Sequence, residues 1–176
     1  MGLRTADHFG SVSSAGGFEP QRSNNGTLRI SGLPGSGPDL IELALQSFPF
    51  PKFNLNPMEL PYMNSVRKFP TKITYDAGTL VIRDIVNQNV AQTLWDWFKL
   101  AGDPKTEKIG MASSYKKDAD GIWFAPDDSI ERTWKMEGCW LSSYDPGDFD
   151  TTGGDPVVIS CTLEYDKAYM EETGGT

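Results

Sequence analysis

Four carboxylates crowd one segment of the chain: Asp145, Asp148, Asp150 and Asp155, between Tyr144 and Val157. Oxygen donors at such spacing are the hard ligands that calcium takes. The segment lacks the full spacing of a known calcium motif, however, and acidic loops are ordinarily just solvated. Two carboxyls facing each other across a cleft can hydrolyse glycosides, but nothing here singles out a pair. The single histidine, His8, lies in a Ser- and Gly-rich stretch, which argues against a histidine metal site or a Ser-His-Asp triad. Gly32-Leu33-Pro34-Gly35-Ser36-Gly37-Pro38 is rich in glycine, yet no Gly-Lys-Ser/Thr follows, so it reads as a turn cluster rather than a phosphate cradle. These patterns assign no catalytic residue, no metal ligand and no cofactor.

Two other residue types carry chemistry. The five tryptophans are at 95, 97, 123, 134 and 140. Trp97 and one or both of Trp134 and Trp140 fit core positions. Trp95 and Trp123 remain as candidate exposed rings on which a carbohydrate-binding sandwich would stack a sugar. Cys139 and Cys161 fall on two strands expected to be neighbours. Strict alternation turns Cys161 inward and puts Cys139 with Thr133, Lys135 and Glu137 on the other face. That argues against a disulfide within one subunit and leaves one between subunits open; reduced thiols suit a cytoplasmic origin.

The clearest positioning element is a helix between Asn87 and Pro104. Val90, Leu94, Trp97, Phe98 and Ala101 share one apolar stripe at helical spacing. Asn87 or Asn89 is placed to cap its start through the side chain, and Gly102 to end it in the left-handed conformation. A helix this apolar on one side needs a sheet to lie on. About eight strands follow from the rest of the chain: Thr27–Ile30, Asp39–Leu45, Tyr62–Tyr75 interrupted at Pro70, Thr79–Ile85, Met111–Lys117, Gly121–Ala125, Ile130–Leu141 and Val157–Tyr165. Ile73 and Tyr75 before Asp76-Ala77-Gly78, with Leu80 and Ile82 after it, predict a hairpin. In the last strand Val157, Ile159, Cys161, Leu163 and Tyr165 are expected inward. Strands in short succession favour an antiparallel two-sheet sandwich or barrel with one flanking helix.

Residues 46–62 fit neither core nor loop. They carry Phe48, Phe50, Phe53, Leu55, Met58 and Leu60 together with Pro49, Pro51, Pro57 and Pro61. Proline cannot donate to a ladder, so a central strand is excluded for much of the stretch, while its apolar content is too high for a solvated loop. It is expected either to fold back over the end of the barrel or to contact another subunit. Phe48, Phe50, Phe53, Leu55, Met58, Leu60 and Met63 are the candidate interface residues.

The chain of 176 residues, 38% hydrophobic and 23% charged, is long enough for one domain with a real core. The expected organisation is an arm over residues 1–26, a β domain over 27–170 and a polar tail over 171–176. The arm is either disordered or ordered against a neighbouring subunit. No apolar run is long enough for a membrane span and residues 1–20 lack the apolar core of a signal peptide, which implies folding in a cytoplasm. The net charge of −8 argues against a sequence-reading nucleic-acid binder.

From about Pro61 onward the chain resembles the tail tube proteins of contractile bacteriophages and related contractile injection systems. The resemblance rests on several pieces in order: Pro61-Tyr62-Met63-Asn64, Val66-Arg67-Lys68-Phe69, Ile73-Thr74-Tyr75, Leu80-Val81-Ile82-Arg83-Asp84, and the helix with Leu94-x-x-Trp97-Phe98. Ala112-Ser113-Ser114-Tyr115-Lys116-Lys117-Asp118 is similar to the family's next strand. Trp134-x-x-x-Gly138-Cys139-Trp140 and Val158-x-x-x-x-Leu163-x-Tyr165-Asp166 resemble its late strands. Residues 1–60 match less well. The resemblance implies hexameric rings stacked into a hollow tube, a structural virion component of a contractile tail that conducts DNA on ejection. The implied partners are further copies of the chain, the surrounding sheath protein, baseplate and tail-terminator proteins, and the tape measure protein and DNA inside the bore, with assembly in the host bacterial cytoplasm. The tube of a secretion system or a tail-derived bacteriocin is the alternative within the class; a sugar-binding sandwich is the alternative outside it. An acidic wall would keep DNA phosphates from sticking.

Overall fold

The computed structural model describes residues 21–33, 37–86 and 89–171. Most of the expected N-terminal arm and all but the first residue of the C-terminal tail lie outside them. Among the described residues there are eleven strands and three helices. In chain order they are β1 (Gly26–Ile30), α1 (Gly37–Ala44), β2 (Leu45–Ser47), β3 (Lys52–Tyr62), β4 (Ser65–Asp76), β5 (Gly78–Arg83), α2 (Val90–Ala101), β6 (Gly102–Asp103), β7 (Lys108–Ile109), α3 (Ala112–Tyr115), β8 (Lys117–Phe124), β9 (Ile130–Asp145), β10 (Val158–Glu164) and β11 (Lys167–Glu171).

The body is an antiparallel sheet bent into two layers, in the strand order β1-β8-β9-β10-β5-β2, with β11 also on β9. β9 is 16 residues long and belongs to both layers. Its first part pairs with β8 and β11, and its last part with β10. Among the described residues the layers do not close: β1, β2 and β11 each pair on one side only. Alternation builds the core. In β5 and β10, Leu80 faces Cys161 and Ile82 faces Ile159, all four buried. Across β1 and β8 large meets small, Leu28 opposite Gly121 and Ile30 opposite Ala119. Helix α2 covers this core with Val90, Leu94 and Trp97, while Phe98 packs at its margin and Ala101 is half-buried. The Trp97 indole donates to the Tyr115 carbonyl at 2.8 Å, so α3 satisfies the one polar atom this ring buries.

The structure corrects several local expectations. Residues 37–44 form a helix rather than a strand: Pro38 sits in its first turn, where proline costs no hydrogen bond, and Ile41 and Ala44 are buried one helical turn apart. Residues 112–115 are likewise a helical turn, and 117–124 form one continuous strand rather than two around Asp118–Gly121. Asn89 begins α2 with its own backbone left-handed (φ 53) and without a side-chain cap bond; Asn87 lies outside the described residues. Gly102 is extended, not left-handed, because the chain leaves the helix directly into the small β6–β7 ladder. Val157 is exposed, since it precedes β10 rather than lying in it.

The alternation along β9 also breaks, at Gly138. Its φ is +70, and β9 spends one extra residue opposite Asp118. Met136 and Cys139 therefore both face the core, three residues apart, and Cys139 is fully buried instead of outward. Cys139 and Cys161 are both free, buried thiols. A Cβ at Gly138 would lie 2.4 Å from the Asp166 carboxylate, which itself pairs with Lys116. The bulge marks the region where β9 passes from one layer to the other, as bulges do when they increase strand bend.

Candidate assembly surface

Among the described residues, strands β3 and β4 pair only with each other. The expected hairpin between Tyr75 and Leu80 is absent, because β4 returns along β3 while β5 joins β10 and β2. Pro57 and Pro70 explain the isolation. They face each other in the ladder, next to a register shift that adds one residue to β4. Neither could donate to a further strand, so the pair remains a two-stranded arm. At about 3.3 Å per residue it extends roughly 35 Å. Of the residues of both strands only Tyr75 is less than exposed.

The root of the arm is tied down. The Tyr165 hydroxyl accepts from the Lys52 amide at 3.1 Å and donates to the Asp76 carbonyl at 2.9 Å, holding the first residue of β3 and the last of β4. Its ring packs edge-on to Tyr75, 5.7 Å between centroids. Burial raises the phenol's pKa above its ordinary value. Gly78 matters for the same junction: a Cβ there would lie 1.9 Å from the Pro49 ring, so only glycine lets the chain leave the arm beside the segment that entered it.

The apolar residues change sides along the arm. Near the root, Phe53 and Leu55 face Tyr75 and Ile73 across the ladder. They turn toward the body, where Phe53 lies 5.7 Å from Trp134 and an apolar groove of about 410 Å³ runs between them and Tyr169 and Met170. Beyond the prolines the apolar positions shift by one: Met58 pairs with Phe69, Leu60 with Arg67 and Tyr62 with Ser65. By alternation these lie on the opposite face. Arg67 over the Tyr62 ring, 5.9 Å from its centroid, fits that assignment, as does Glu59 paired with Lys68 at 2.9 Å on the other face. At the tip Met63 takes a left-handed φ of 51 and is 92% exposed.

The sequence candidates therefore separate. Phe53, Leu55, Met58, Leu60 and Met63 are exposed on the arm. Phe48 and Phe50 belong to the body: they lie 4.7 Å apart, both are half-buried, and Phe50 stacks on Trp123 at 4.5 Å. That stacking also leaves Trp123 half-buried. Trp95 is half-buried too, against Phe98 and Tyr144. Neither is the free exposed ring that sugar stacking asks for. The apolar and basic residues of the returning strand, Val66, Phe69 and Ile73 with Arg67, Lys68 and Lys72, are not among the interface candidates read from the sequence, although all but Lys72 lie in pieces that carry the resemblance. Two prolines near the middles of successive apolar strands were the available signal. Among the described residues no group of three or more metal-ligating side chains converges, Asp145 to Asp155 included.

No family model and no curated protein matches the chain. Solved structures do. A chain of the PVC sheath–tube complex, from an extracellular contractile injection system in its extended state, aligns at TM-score 0.69 with 17% identity, over 90% of this chain and 96% of that one. The tube-terminating cap of the anti-feeding prophage aligns at 0.68 with 15% identity, over 87% and 91%. The SPP1 tail tube aligns at 0.58 with 10% identity, over 86% and 78%. The two-layer sheet, its covering helix and most of the chain's length are thus held in common: this chain has the fold of the tail tube and tube-terminating proteins of contractile injection systems and phage tails.

Proposed function

We propose that the chain is a self-assembling tube subunit of a contractile phage tail. Six copies close a ring, and rings stack into the hollow inner tube through which DNA leaves. The observation that carries the reading is the long apolar arm standing off a body of tube fold. Such a surface is costly to leave in water, and a second copy is the partner a tube supplies. Open sheet edges at β1, β2 and β11 offer ladder groups to neighbouring copies in the same ring. The sheath outside, the baseplate and terminator at the ends, and the tape measure protein and DNA within complete the proposed set of partners, in a virion tail assembled in the bacterial cytoplasm. The role is structural; its specificity lies in contacts and channel shape.

Within the class, the tube of an injection system or tail-derived bacteriocin is the second reading, favoured by higher TM-scores to injection-system structures than to the SPP1 tube. The first test is negative-stain microscopy of the purified protein over a concentration series. Rings or hollow tubes with sixfold end views are the expected outcome. Monomers at every concentration, also with a tube-end fragment added as initiator, would overturn the reading. Leu60→Asp should abolish rings or stacks without changing the melting temperature, because Leu60 is exposed in the free subunit.

A further inference from the structure

The chain contains three Asp–Pro bonds, Asp103–Pro104, Asp145–Pro146 and Asp155–Pro156. Such a bond has a chemistry of its own. Proline has no backbone N–H, so its nitrogen cannot attack the preceding carboxyl to close a cyclic imide. The attack runs the other way: the aspartyl carboxyl adds to its own main-chain carbonyl carbon through a five-membered ring. The prolyl nitrogen belongs to a tertiary amide. It is more basic than an ordinary peptide nitrogen and leaves with the carboxyl's proton.

The structure holds the three carboxyls differently. Asp103 has both oxygens engaged: Oδ1 accepts from the Lys105 amide at 3.0 Å and Oδ2 from the Thr106 hydroxyl at 2.8 Å. Its carbonyl accepts from the Glu107 amide at 2.8 Å, and the residue pairs with Lys108 in the β6–β7 ladder. The Lys105 amide, and then the Thr106 hydroxyl, hold its carboxyl below the ordinary pKa, which withholds the proton that the leaving nitrogen needs. Asp145 ends β9 opposite Ser160, and its Oδ1 accepts from the Gly147 amide at 3.0 Å. Asp155 is exposed, follows Gly153-Gly154 and lies outside every strand. Among the described residues no hydrogen bond or ion pair engages its carboxylate.

We propose that Asp155 cuts its own chain in mild acid. A carboxyl oxygen of Asp155 bonds to the Asp155 carbonyl carbon, the bond to the Pro156 nitrogen breaks, and that nitrogen takes the carboxyl proton. Water then opens the cyclic anhydride. One water is consumed, and the new ends are the Asp155 main-chain carboxyl and the Pro156 amine. The cut falls between β9 and β10 and leaves the fold assembled. β10 stays paired with β9 and β5, and β11 stays on β9. One residue beyond Pro156, the Val157 carbonyl accepts from the Asp84 amide at 3.0 Å and anchors the new end. The product is a two-piece subunit, residues 1–155 and 156–176. This inference is independent of the tube reading.

The test holds the purified protein at the lowest pH that keeps its native near-UV circular dichroism, about 4 or just above, where an ordinary aspartyl carboxyl is partly protonated. Intact masses in denaturant are followed over days. The expected result is one cut, after Asp155, at least about tenfold faster than at Asp103, the factor set by the hydrogen bonds that Asp103 must first give up. The two pieces co-elute in native buffer and separate in urea. Unfolded in urea at the same pH, the chain is cut at all three bonds at similar rates. Thr106→Val should speed the cut at Asp103 about fivefold by removing one of its bonds. Asp155→Glu, whose attack needs a six-membered ring, should leave residues 155 and 156 joined, as should Pro156→Ala. A folded chain cut first at Asp103 or Asp145, a folded chain left whole while the unfolded one is cut, or an Asp155→Glu variant cut at that place like wild type would overturn the proposal.

Discussion

The Tyr165 hydroxyl accepts from one strand of the arm and donates to the other, so one side chain beyond the end of β10 fixes the arm's root. Tyr165→Phe keeps the ring on Tyr75 and removes both bonds, each worth about 1 kcal/mol. The expected outcome is faster amide exchange at Lys52 with little change in overall melting. The raised phenol pKa gives the junction a pH dependence: the unfolded phenol ionises near pH 10 and the folded one later. The contribution is complete below pH 10 and is lost as pH rises through the raised value. Cys139 and Cys161 act in the same direction, because burial pushes both thiols from 9.0 up to about 12. Urea midpoints should therefore fall as pH rises from 9 to 12. A variant with both cysteines changed to alanine should start lower, for want of packing, and show a flatter decline.

At the scale of elements the main determinants are the α2 stripe and the β9 bulge. Leu94→Ala should cost about 2–5 kcal/mol, read from denaturant midpoints, since Leu94 is fully buried. Gly138→Ala should cost about 1–3 kcal/mol, because the left-handed backbone and the Asp166 carboxylate both oppose a Cβ. Much of this level was legible in the chain. Leu80 and Ile82, Ile159 with Cys161 and Leu163, and Val90 with Leu94 and Trp97 announce their faces by periods of 2 and 3.6. The bulge was not, because a glycine in a strand pattern does not say whether it kinks the strand, and one extra residue reverses every later side chain. Helix α1 is not legible because eight residues with Leu40, Ile41, Leu43 and Ala44 suit either period. Of the candidate surface, the prolines correctly marked a stretch that could not be central. That Phe48 and Phe50 would turn back onto Trp123 depends on Gly121 leaving room for their rings, a long-range packing fact.

For the whole molecule, the arm and the body are separable in stability. Replacing residues 57–70 by a two-residue Asn-Gly turn should leave the melting temperature within a few degrees, as surface changes of about 0.5 kcal/mol do, and yield a soluble monomer by sedimentation. The arm has a further consequence in time. A two-stranded ribbon is marginal on its own in water, and this one is held chiefly at its root. On the proposed tube reading, the first pair of subunits to meet must therefore immobilise both arms for one contact, while each later arrival settles among arms already ordered. Growth from such a start shows a lag, then rapid elongation, and a lag that disappears when preformed tube ends are seeded. Under that reading, a cell making this subunit would accumulate it until an end appears and then draw the pool into tubes already begun.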